Sequence, residues 1–373
     1  MAGSALPQDG APLRVSHRQY MSLQAGRGLA ALLVVLHHSG LVVGREPALW
    51  NRSDIFRWMM GPRLGVSFFF VLSGMVILTA HRKDIGRPAG LRRYLWKRFR
   101  RIYPIYWLVL ALVLCGQFFS ANPESAANRN PFVLLSSVLL IHIHSSDSTV
   151  LVVAWTLFHE VMFYAMFAVA ILNKRLGAVL FAIWSTTSLL NFRWNVLPEN
   201  LCSPLHLLFG MGMVSAWFLL RGKIPRPGML LALGGLIFAG SVIYAGWKGQ
   251  VNLLSFLTSG LGTALALPAA AEMERLQRLS VPRWASFLGE ASYSIYLIHL
   301  PLIRAFGRLC YRLDSHLHWP VPFWMLLLLA VGTGAGCLLH VWIERPLLSR
   351  LGGLYRPVAP LPRESVGGVD VLC

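Results

Sequence analysis

Acidic side chains are scarce in this chain of 373 residues, where 15 Asp and Glu stand against 34 Lys and Arg. Charged residues of both signs make up only 13% of it, about half the share usual in soluble domains. Internal repeats, linkers and low-complexity runs are missing, so nothing supports a second folded domain. No Walker A, G-x-G-x-x-G, C-x-x-C or H-E-x-x-H pattern occurs, and GLGTAL (260–265) lacks the strand that a dinucleotide loop requires. His159-Glu160 does not continue into a zinc helix, because position 163 is Phe. Cysteines number five. Cys115 and Cys337 fall in apolar runs, Cys373 is terminal, and Cys202 and Cys310 read as unpaired thiols rather than a disulfide.

What remains is apolar: 55% of residues are hydrophobic. That excludes a disordered chain and an ordinary soluble globule. A net charge of +19 would suggest a nucleic-acid partner in a soluble protein. Here its meaning depends on where the charge sits.

Membrane-crossing helices need about 20 mostly apolar residues, with about 17 still feasible. Candidates fall at 26–43, 64–80, 102–121, 155–172, 176–190, 205–220, 229–247, 252–271, 286–307 and 322–343. The run at 132–143 is too short. With ten spans both termini share a side, and that side carries 24 Lys and Arg against nine on the other, with Arg304 inside a span. Under the positive-inside rule the termini are cytosolic. If 132–143 also crossed, the Lys174/Arg175 turn and the 221–227 cluster would move outside. The expectation is an all-α polytopic membrane protein of about ten helices. It would comprise a cytosolic segment at 1–25, a membrane domain at 26–346 and a flexible cytosolic tail at 347–373. The first 25 residues lack an apolar signal core, so the first span reads as an uncleaved anchor.

Ionisable side chains at membrane depth are costly and point to function. Glu160 is the acid placed well inside a span; Glu290 and Glu344 lie near span ends. His37, His38, His159, His299 and His340 share that depth. His38 is about five residues from the outer end of the first span, and Glu160 about five from the outer end of 155–172. At 1.5 Å per residue both sit about 7–8 Å below the outer boundary. Such a pair could be a general base with its orienting carboxylate, or an ion pair that locks two helices. His37 points about 100° away from His38.

Arg27 precedes His38 by eleven residues, three turns and about 16 Å, which places both on one helix face. By itself Arg27 also reads as a positive-inside anchor. RRYLWKRFRRIYPIYW (92–107) concentrates cytosolic charge, and Arg98 and Arg101 share a face at i, i+3. They could grip a phosphorylated ligand, set topology or hold anionic lipid headgroups. His142 and His144 in HIHSSD make a weak metal pattern that reads better as a polar loop. No metal site is expected.

These segments, in this order, resemble the membrane acyltransferase-3 family. The resemblance rests on RGLAALLVVLHH (27–38), GVSFFFVLSGMVI (65–77), RFRRIYPIYW (98–107), WTLFHEVMFY (155–164), LGEASYSIYLIHLPL (288–302) and IERP (343–346). It implies that Arg27 and His38 form the family's essential Arg-x10-His motif, which demotes His37. It also implies roles for Glu160 and for the Arg98/Arg101 pair. Family members O-acylate surface polysaccharides, lipopolysaccharide, Nod factors and some antibiotics, drawing acetyl-CoA from the cytosol. Ser67 departs from the usual Asp, Glu or His, and Thr156 from the usual Ser, which bears on acceptor choice. Some relatives carry a further C-terminal hydrolase-like domain; this chain, with its short tail, is expected to act alone or with a separate partner.

The resemblance therefore implies an acyltransferase of the bacterial inner membrane. It would move an acetyl or other short acyl group from acyl-CoA to a sugar hydroxyl of a lipid-linked oligosaccharide or exopolysaccharide precursor. His38 would act as general base or acyl carrier, with Glu160 orienting it. Arg27, Arg98 and Arg101 would hold the donor. No bound cofactor is expected beyond acyl-CoA as substrate. Partners would be membrane lipids and polysaccharide assembly proteins, with no nucleic acid. The competing reading is a proton-coupled transporter or flippase using Glu160 and His38 as a relay.

Overall fold

The structure, a computed structural model, describes residues 20–45, 50, 53–118, 130–141, 149–194, 196–198, 200–222 and 224–351. Each of the ten expected spans is helical over nearly all of its described residues, and the described residues contain no strand. The long helices are α1 (Met21–Arg45), α3 (Gly65–His81), α4 (Leu91–Phe118), α6 (Trp155–Leu172), α7 (Lys174–Trp194), α8 (His206–Leu220), α9 (Pro227–Lys248), α10 (Leu253–Arg275), α11 (Arg283–Leu317) and α12 (Val321–Leu339). Short helices α2 (Ser53–Met59), α5 (Pro131–Leu139) and α13 (Arg345–Arg350) complete the order.

Seven segments are long and apolar enough to cross a membrane: 21–44, 54–81, 88–117, 152–172, 227–248, 253–275 and 321–350. Three expected spans fall outside that set. Helix α8 has 15 residues, about 22 Å, and α7 and α11 carry too many polar side chains. The run at 132–143 forms only the nine-residue α5, which at about 14 Å is too short to cross. Its continuation, with His142 and His144, lies outside the described residues, as does most of the expected tail. The described cysteines, Cys115, Cys202, Cys310 and Cys337, are unpaired.

Small residues bring backbones together where lipid offers no hydrophobic drive for association. Gly74 and Gly212 seat α3 on α8: a methyl group on either would overlap a backbone carbonyl of the other helix. At Gly289 of α11 a methyl would collide with the Gln24 carbonyl of α1, so these two helices touch backbone to backbone. The start of α1 is closed from a distance in sequence. The Glu274 carboxylate at the end of α10 accepts from the Met21 and Ser22 amides at 3.0 and 2.7 Å, which satisfies two of the helix's first N–H groups.

Candidate functional site

Helix α1 packs along α11, with α12 and α3 beside it, and α6 packs on α7, α4 and α3. That arrangement decides which depth-matched residues meet. His38 points toward α11, where its Nδ1 lies 3.1 Å from Nε2 of His299 and 3.0 Å from the Val34 carbonyl. His299 Nδ1 lies 3.0 Å from the Ile295 carbonyl. A carbonyl oxygen only accepts, so His299 Nδ1 carries the proton and its Nε2 holds a lone pair. That lone pair faces the His38 Nδ1–H. This assignment of tautomers follows from the partners. His38 Nε2 then carries a lone pair and has no hydrogen-bond partner among the described residues.

Glu160 meets other groups. Tyr164, one turn later on α6, donates to its carboxylate, and Ser73 of α3 donates at 3.3 Å. The expected direct contact between Glu160 and His38 is therefore not formed. Glu160 lies near enough to Arg27 for its charge to act on it, at the other end of α1, and α11 supplies the ring's partner instead. His37 turns to the other side, donating from Nδ1 to the Met59 carbonyl at 2.6 Å.

The expected basic cluster does assemble. Arg98 is buried at 6% exposure, with its guanidinium 5.4 Å from the Tyr164 ring centre and 5.9 Å from that of Tyr94. It thus stacks on the residue that donates to Glu160. Arg101 reaches the buried carboxylate of Glu344 at 3.8 Å and lies 5.5 Å from the Tyr293 ring. Arg27 hydrogen-bonds Gln24 at 3.1 Å, near enough to Arg101, Glu344 and Glu160 for their charges to act on it. Arg27, Arg98 and Arg101 come together; His38 stands apart toward the C-terminal end of α1. Tyr164 joins Arg98 to Glu160, and Ser73 bonds the same carboxylate.

Sequence reasoning missed His299, Tyr164, Ser73 and Glu344 as members of this constellation. His299 was legible by depth, eight residues from the outer end of 286–307, and it lies in one of the family-like segments. Glu344 looks like a residue at a span end. It is buried because His340–Glu344 form a π-helical turn, in which Ser294 and His340 bond its Oε2 at 2.7 and 2.6 Å. Among the described residues no group of three or more His, Cys, Asp or Glu could hold a metal.

Comparison with known proteins places this geometry. The chain is 28% identical over 300 residues to the exopolysaccharide production protein ExoZ of Rhizobium meliloti, covering 77% of this chain and 89% of ExoZ. It is 26% identical over 336 residues to the acyltransferase MdmB of Streptomyces mycarofaciens, covering 80% of this chain and 84% of MdmB. Against the peptidoglycan O-acetyltransferase OatA of Listeria monocytogenes it is 26% identical over 222 residues, 57% of this chain but only 30% of OatA. No solved structure matches. An acyltransferase domain is matched over residues 21–342, nearly the whole described helical body, and the chain belongs to the acyltransferase-3 family of membrane proteins.

Proposed function

We infer that the protein is a multi-pass O-acyltransferase of the bacterial inner membrane, with ten spans and both termini in the cytosol. It moves a short acyl group, most simply acetyl, from acyl-CoA to a hydroxyl of a lipid-linked or nascent polysaccharide sugar. The observation that carries this reading is the arrangement along α1. A basic cluster of Arg27, Arg98 and Arg101 sits at one end, and an imidazole with an open Nε2 lies about 16 Å away near the other. Guanidinium groups suit the phosphates of a nucleotide-bearing thioester, and the separation suits an extended pantetheine arm. The printed names of ExoZ and OatA support a glycan acceptor.

The His38 Nε2 lone pair serves either chemical route. It can take the proton from the sugar hydroxyl while that oxygen attacks the thioester carbonyl; the C–S bond breaks, and the imidazolium returns the proton to the departing thiolate. Alternatively it attacks the thioester carbonyl and expels the CoA thiolate; the sugar oxygen then takes the acyl group from Nε2, the C–N bond breaks, and the hydroxyl proton passes to the thiolate. Glu160, held by Tyr164 and Ser73, places a negative charge within reach of Arg27.

Glycan O-acetyl content in cells carrying His38→Ala and, separately, Glu160→Ala tests this reading. Both strains should fall to the level of a deletion strain while the protein remains inserted. Normal acetylation in both overturns the mechanism. Purified protein should bind acetyl-CoA saturably and lose that binding in Arg98→Ala/Arg101→Ala.

A further inference from the structure

We propose that His299 is a positioning residue for His38, sharing with the Val34 carbonyl the Nδ1–H that leaves Nε2 as the reactive nitrogen. Three observations converge. The His299 ring is fully buried, and its Nδ1–H donates to the Ile295 carbonyl, so only its Nε2 lone pair is left to face another group. That lone pair meets His38 Nδ1 at 3.1 Å, with ring centres 5.0 Å apart. Gly332 of α12 makes room for this placement: a methyl group there would come within 3.3 Å of the His299 Cβ and 3.2 Å of Val35 on α1.

A neutral imidazole here does what an acidic partner does in a catalytic triad, through its acceptor alone. It holds the donor nitrogen of the base and supports the imidazolium once Nε2 is loaded. It brings no second charge into the membrane interior, where a charge is costly. The inference rests on the reading of His38 as the reactive imidazole. It adds that His38 Nδ1–H is held by His299 of α11 together with the Val34 carbonyl of α1, not by the carboxylate on α6.

Two variants separate hydrogen bonding from shape. His299→Gln keeps an acceptor oxygen, whereas His299→Phe keeps a ring of similar size without one. His299→Phe should lower kcat by about 10²-fold, the lower end of what a positioned general base contributes, with KM for acetyl-CoA unchanged. His299→Gln should recover most of that loss. In [15N]histidine-labelled protein, the His38 signals, assigned by difference with His38→Gln, should report Nδ1–H and a bare Nε2. In His299→Phe the Nδ1–H should stay on the Val34 carbonyl while its 15N signal shifts with the loss of the second acceptor.

Wild-type-like turnover in His299→Phe, or a His38 spectrum showing Nε2–H in the parent protein, overturns the proposal. Equal loss in His299→Gln and His299→Phe, both well inserted, also overturns it, since shape would then be the cause. A His38→Ala variant that still transfers acyl groups indicts the functional reading instead, and the spectrum remains a test of the tautomer on its own.

Discussion

Two histidine pairs lie in this protein with nearly the same geometry and different surroundings. His38 and His299 meet at 3.1 Å between nitrogens, with ring centres 5.0 Å apart. His159 and His206 meet at 3.0 Å, with ring centres 5.1 Å apart. The second pair is sealed, at 2% and 0% exposure. His206 uses its other nitrogen on Ser188 at 3.2 Å and stacks on Trp184 at 4.0 Å. The rings of Phe70, Trp155 and Phe158 surround His159. In the first pair His38 is half-buried, and its Nε2 is left over. Pair geometry alone says little about chemistry. Exposure makes the difference: His38 is half-buried, whereas both rings of the second pair are sealed, and a sealed polar pair contributes mainly to the fold.

That contrast can be broken by exchanging the tests. His38→Ala should cost about 10²- to 10⁴-fold in acyl transfer, with thermal unfolding in detergent unchanged; a large drop in melting temperature would move His38 to the structural side. His206→Leu should do the reverse. Removing the partner of the His159 Nδ1 and Ser188 groups should destabilise the protein by about 1–3 kcal/mol. Activity per folded molecule, measured after removing aggregate, should stay near that of the parent. A catalytic loss without a stability loss there would erase the distinction. Gly332→Ala should press on His299 by a few tenths of an ångström and lower turnover about threefold to tenfold, while the equivalent crowding at the sealed pair has no catalytic readout. The smallest effect belongs to Ser188→Ala, which deletes one buried hydrogen bond at about 0.5–1.5 kcal/mol and should leave acyl transfer unchanged.

Helix positions were legible because hydropathy is a one-dimensional signal and the chain is read in one dimension. All ten expected runs became helices, and the short run at 132–143 became a helix too short to cross. The Arg27–His38 spacing was legible for the same reason, since both lie on one helix. The partner of His38 was not. Counting residues from the span ends put Glu160 level with His38, whereas the fold brings Glu160 within reach of Arg27. Which helices stand side by side is set by small residues such as Gly289 against Gln24, whose effect depends on the assembled bundle. Arg98 shows a milder version: its inward face was readable at i, i+3 from Arg101, but its seat on Tyr164 was not. The burial of Glu344 was hidden because a π turn breaks the periodicity on which such counting relies.

That turn has a consequence for how the family-like IERP segment tolerates length changes. A π turn holds one residue more than the α-helical path it replaces. Deleting a single residue between His340 and Glu344 would let the helix return to ordinary winding, and everything after it would keep about its present angular setting, because the turn takes up the extra residue locally. Arg345, whose guanidinium reaches Glu290 at 2.8 Å, would stay on α11. The segment is thus a local slack turn: it takes up one residue without changing the angle at which the last helix meets α4 and α11.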